Sequence, residues 1–170
     1  TDSAFHYFKI AYEDAVKYLP EIDLSRSFAA SNRAVVSFSA GKPEEGLRFE
    51  KESVAIYSKI KGPNHPELAI GYNNLGFYHS KLGLWQQAKE FYELALKIRI
   101  RDLGPDHLRV AILYNNIADC YGQFGDYKRE LALHYKALAI YKSKYPNDHP
   151  DIARCLNNIG WVYGKMGDFA

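Results

Sequence analysis

The chain has 170 residues, 47% of them hydrophobic and 15% aromatic, with a formal net charge of +2. That balance argues against a nucleic-acid surface, and no apolar run approaches the roughly 20 residues that a membrane-spanning helix needs. No charged, apolar, small-residue leader opens the sequence.

Taken in chain order, Ala4, Phe8 and Ala11 predict a helix over 3–19. A helical hairpin follows over 24–61, carrying Asn32, Ala34, Gly41 and Ser53, and a clearer copy spans 66–103. In that copy Pro66 suits a first helical turn, and Ala69, Tyr72, Leu75, Gly76, His79 and Leu82 recur at three- and four-residue steps. Gly83 stops this helix, and Trp85, Ala88, Phe91, Tyr92, Ala95 and Ile98 mark a second one running to Leu103. Gly104-Pro105 ends it, a third hairpin spans 108–145, and 150–166 supplies one more first helix.

These copies share a period of 42 residues. Asn73-Asn74, Asn115-Asn116 and Asn157-Asn158 recur at that spacing, as do His65, His107 and His149, and Gly83, Gly125 and Gly167. Self-similarity of this kind is the mark of a solenoid, in which each hairpin buries its apolar face only against its neighbours. The chain begins on a second helix and ends at Gly167-Asp168-Phe169-Ala170, where another should start. It reads as a piece of a longer array cut within a repeat at both ends, and such raw ends favour self-association.

The spaced residues resemble the tetratricopeptide repeat. Tyr72, Leu75, Gly76, His79, Ala88, Tyr92 and Ala95 fill its columns; Tyr114, Ile117, Ala118, Tyr121 and Ala137 do so in the next copy, and Leu156, Ile159, Gly160 and Tyr163 in the last. The 42-residue period and the Gly-Pro-Asx-His connection resemble the variant of kinesin light chains, nephrocystin-3 and the sensor arrays of signalling ATPases. The resemblance implies an all-α fold, a right-handed α-solenoid of tetratricopeptide hairpins. Gly46, Glu50, Glu130 and His134 stand where that family prefers Ala or an aromatic, which leaves the packing of those second helices open.

Chemistry is sparse. There is no phosphate loop, no paired cysteine ligands, no His-Glu-x-x-His and no Gly-x-Ser-x-Gly, so neither catalysis nor a cofactor is expected. His65, His107 and His149 occupy one position in separate repeats, before helix starts, and read as caps rather than metal ligands. Cys120 and Cys155 fall in different columns and read as buried thiols of a reduced, cytoplasmic protein. Lys97, Arg99, Arg101 and Arg109 cluster about one helix end, where cations complement the dipole. Tyr72, Tyr114, Tyr121 and Tyr163 read as packing residues between paired helices.

The resemblance implies a concave groove lined by first helices. Its stripes would be Phe28, Asn32, Val35 and Ser39; Ile70, Asn74, Phe77 and Lys81; Ile112, Asn116, Asp119 and Gln123; and Arg154, Asn158, Trp161 and Lys165. A ladder of Asn32, Asn74, Asn116 and Asn158 could hydrogen-bond the main chain of an extended peptide, or instead tie neighbouring first helices together. Phe77 and Trp161 offer apolar walls, and Lys81, Arg154 and Lys165 outnumber Asp119, favouring an acidic ligand. The expected function is capture of extended or short helical peptide segments, with acidic, aromatic motifs suggested by the kinesin-light-chain resemblance. The alternatives are a sensor array within a larger signalling protein and a structural scaffold.

Overall fold

The computed structural model describes residues 2–146 and 148–167, and every regular element among them is an α-helix. The chain divides into two compact units, one ending at Phe91 and the other beginning at Tyr92. The start of a further second helix, expected at 168–170, lies outside the described residues.

The first unit holds α1 (Asp2–Tyr18), α2 (Leu24–Ser39), α3 (Pro43–Lys61), α4 (Leu68–Lys81) and the first turns of α5 (Trp85–Leu103). Asp23 caps α2 by accepting the Ser25 N–H at 2.7 Å, and Gly41 takes the left-handed conformation (φ 76°) that lets the chain reverse into α3. Pro43, Glu44 and Glu45 open α3 while Lys59 and Lys61 close it, each charge matching the helix dipole. The core gathers Ala34, Leu47, Phe49, Leu75 and Tyr78, with Phe38 packed edge-on to Phe77 at 4.9 Å. Helix α4 starts at Leu68 rather than Pro66, because Leu68, Ala69 and Ile70 each bond back three residues and tighten the preceding turn.

The second unit holds the rest of α5, α6 (Leu108–Gln123), α7 (Tyr127–Lys144) and α8 (Pro150–Met166). Val110, Ala111, Ala137, Leu138, Tyr141, Ile152, Cys155 and Ile159 form its core. Histidine starts two of these helices: His107 Nδ1 accepts the Arg109 N–H at 3.1 Å and His149 Nδ1 the Asp151 N–H at 3.2 Å. His65 Nδ1 likewise accepts the Glu67 N–H at 3.3 Å in the first unit, but α4 begins only at Leu68, so His65 closes the turn before the helix, and His107 and His149 are the helix caps, each worth about 1 kcal/mol by analogy with ordinary caps.

Two sequence expectations need refinement. Tyr72, Tyr114, Tyr121 and Tyr163 do pack, but only half-buried; the fully buried tyrosines are Tyr78, Tyr92 and Tyr141. Tyr72 stacks on Phe91 at 6.3 Å and the Tyr163 hydroxyl meets that of Tyr135 at 3.2 Å, so their polar ends stay near solvent. The second helices that carry Gly46, Glu50, Glu130 and His134 are tightly packed, with all four residues buried. Gly46 is required by closeness: a Cβ there would lie 3.0 Å from both the Ala34 carbonyl oxygen and Tyr78 Cε1.

Candidate partner-binding face

In the first unit the stripes of α2 and α4 carry Phe28, Val35 and Ile70 exposed, Phe28 to 57%. Phe77 is half-buried between Phe38 and Tyr78, with Lys81 Nζ 5.3 Å from its ring centroid. Asn32 is exposed and makes no side-chain hydrogen bond among the described residues. Asn74 turns the other way. Its Nδ2–H donates to Glu50 Oε1 at 3.1 Å, so it ties α4 to the second helix before it.

Glu50 is 1% exposed, and the Ser31 hydroxyl donates to its other oxygen at 3.1 Å. Burial pushes its carboxyl pKa up to about 7, although the hydrogen bonds from Asn74 and Ser31 pull it down. The sequence reading did not pair Glu50 with Asn74. A partial signal was present, because Glu50 shares a column with Tyr92 and His134, all able to hydrogen-bond an amide, although Phe8 in that column is not.

In the second unit Trp161 is 67% exposed on α8, and Ile112 is exposed on α6. Asn116 and Asn158 are half-buried, and Asp119 is exposed with Oδ1 3.8 Å from His134 Nε2. Arg154 is held by Asp151 (2.8 Å) within its own helix, and Lys165 Nζ reaches Glu130 Oε1 (3.6 Å) on α7. Burial raises the Glu130 pKa while Lys165 lowers it. His134, 1% exposed, donates from Nδ1 to Asn115 Oδ1 at 2.9 Å, and Asn115 Nδ2–H donates to Cys155 Sγ at 3.3 Å. Burial drives the His134 pKa down to about 4, with Lys165 adding to the effect.

Both cysteines are buried free thiols. In the basic cluster, Arg99 is buried and Arg101 pairs with Asp102 at 2.7 Å, while Lys97 and Arg109 are exposed. No helix among the described residues is long and apolar enough to cross a membrane.

The family profile described as tetratricopeptide repeat matches residues 25–99 and 67–143. BtubC (BKLC) from P. vanneervenii is similar at 25% identity with a TM-score of 0.85, over 97% of this chain and 67% of that one. A Podosopora anserina protein of kinesin light chain type, with nearly identical TPR-like repeats, aligns at 20% identity and a TM-score of 0.84 over 99% of this chain and 80% of its own. The apo form of RapI aligns at 16% identity and a TM-score of 0.79, over 98% of this chain and 58% of its own. No curated protein sequence matches significantly. With well over half its length matched by the profile, the chain belongs to the tetratricopeptide repeat family and has the fold of its kinesin-light-chain-like members.

Proposed function

We propose that this protein-interaction module binds an extended or short helical segment of a partner protein along the exposed face of its first helices, without catalysis or a cofactor. The observation that carries the reading is the set of apolar side chains that the first helices of each unit leave open to solvent. Phe28, Val35 and Ile70 are exposed in the first unit with Phe77 half-buried near them, and Ile112 and Trp161 are exposed in the second, although Arg154 and Asp119 occupy the same two columns. Two of the titratable groups with strongly shifted affinities are held by structural partners, Glu50 by Asn74 and Ser31 and His134 by Asn115.

Of the residues expected to contact the segment, Asn32, Asn158, Phe77, Asp119 and Trp161 remain candidates on this face, as does Asn116. Asn74 is engaged with Glu50 on the preceding second helix, which is a structural tie but not the link between first helices that the ladder suggested. An acidic preference draws its support chiefly from Lys81, which forms no ion pair among the described residues, since Arg154 and Lys165 already face carboxylates. Exposed pairs such as Arg154–Asp151 are weak enough for a ligand to reopen.

Selection of a displayed random-peptide library on the chain tests this. Enriched peptides should lose about tenfold in affinity on Trp161→Ala or Phe28→Ala, the usual cost of truncating an aromatic contact, with helicity unchanged. Failure to enrich any peptide would remove the reading.

A further inference from the structure

In the first unit the face opens into a cavity of about 130 Å³ between α2, α3 and α4. Glu50, Ser31 and Gly71 lie along it, and Phe28, Val54 and Ile70 supply apolar wall. Glu67 is the other charged residue lining it; no Lys, Arg or His does so.

Departures from the protein's own repeat make this space. Ser31, Glu50 and Gly71 correspond, two periods of 42 residues later, to Asn115, His134 and Cys155. There the three side chains join in one hydrogen-bonded cluster and fill the position. Here Ser is shorter than Asn, and Gly71 lacks the side chain that its equivalents Leu113 and Cys155 carry. Val54 takes the place of that side chain, since a Cβ on Gly71 would come within 2.5 Å of Val54 Cγ2, and it thereby forms one wall of the cavity. Glu replaces His, so the vacated space adjoins a carboxylate. Ser27 and Ser53, in columns that are otherwise alanine from Ala69 and Ala95 onward, add hydroxyls beside it.

We propose that this cavity receives a lysine side chain of the bound protein segment, its ammonium on the Glu50 carboxylate and its methylene stem against Phe28, Val54 and Ile70. The proposal rests on the reading that this face takes a protein segment. Charge decides the sign of the ligand: the lining is acidic and holds no cation to repel an ammonium. Hydrogen-bond capacity decides its shape. A carboxylate has about four acceptor sites, and Asn74 and Ser31 occupy one on each oxygen. A compact ammonium can use what remains on a single oxygen, whereas the planar arginine fork needs both. The flexible apolar stem of lysine suits a mostly apolar lining.

The test uses two probes on the whole chain. The first is n-butylammonium, followed by amide NMR shifts at Ser31, Gly71 and Phe28. Saturable shifts that are absent with butyrate, and absent in Glu50→Gln, are expected. No such shifts, or equal shifts in Glu50→Gln, would overturn the proposal whatever the fate of the peptide reading. The second probe is the displayed random-peptide library. Selection on the native chain should fix one lysine position, and replacing that lysine by norleucine should cost roughly tenfold to a hundredfold in affinity, the fold-change equivalent of a charge-assisted hydrogen bond. The same replacement should cost little against Glu50→Gln or Ser31→Asn, two variants that keep hydrogen-bonding side chains in place. Peptides enriched without a fixed lysine would sink the lysine cavity and leave peptide capture standing; no enriched peptide at all would sink both.

Discussion

Lys165 Nζ on α8 lies 3.6 Å from Glu130 Oε1 on α7, and Glu130 is buried where two other copies carry Ala88 and Ala4. The second carboxylate oxygen of Glu130 has no hydrogen-bond partner. An incompletely satisfied buried acid costs more than it returns, so Glu130→Ala should be neutral or stabilise by about 1 kcal/mol. Lys165→Ala should destabilise, by roughly 0.5–1 kcal/mol given its partial exposure. In Glu130→Ala the lysine change should have no further effect. A double-mutant cycle by urea denaturation measures this, and an unchanged cost of Lys165→Ala would refute the coupling.

Glu50 gives the first unit a pH signature. Its raised pKa means that the folded chain keeps a proton that the unfolded chain has already released. Stability is therefore full below the ordinary carboxylate range and falls as pH rises through it to about 7. The loss should amount to about 2–3 kcal/mol. Glu50→Gln should flatten this part of the stability profile; denaturation midpoints from pH 4 to 8 would show whether it does.

His134 acts in the opposite direction. Its lowered pKa leaves the unfolded chain binding the extra proton, so stability is lost as pH falls from the ordinary histidine range to about 4. Asn115→Ala would strand the buried Nδ1–H of His134 and the Cys155 thiol together, at an expected cost of about 2–3 kcal/mol. Asn157→Ala, at the corresponding but exposed position, should cost under about 0.5 kcal/mol. Equal losses for the two variants would contradict the assignment of Asn115 to the core.

Gly46→Ala should destabilise by about 1–3 kcal/mol, since the added methyl meets a backbone carbonyl and a tyrosine ring packed in the core. Thermal unfolding followed by circular dichroism is sufficient to read it.

The helices and their starts were legible in the sequence because caps, glycines and apolar steps are local signals. His107 and His149 were readable as helix caps from position alone, whereas the extra turn between His65 and the start of α4 was not. What escaped was the meaning of the departures from the repeat. Glu50 and His134 look like packing faults when each copy is read along the chain, since their partners Asn74 and Asn115 lie 24 and 19 residues away on other helices. The columns do not reveal the match either, because Asn74 is the second Asn of its pair and lies after Glu50, whereas Asn115 is the first of its pair and lies before His134. The exposed aromatic character of Trp161 was legible, whereas the engagement of Lys165 with Glu130 was not, because side-chain reach between helices leaves no trace in spacing.

The fit between Glu50 and its surroundings bears on how such an array can change by duplication or loss. Excising one 42-residue unit, 66–107, would keep the helix phase but set Leu113 where only a glycine, Gly71, fits against Val54 and beside Glu50. The bricks have equal length but unlike edges, and each junction has become particular to the two copies that meet there.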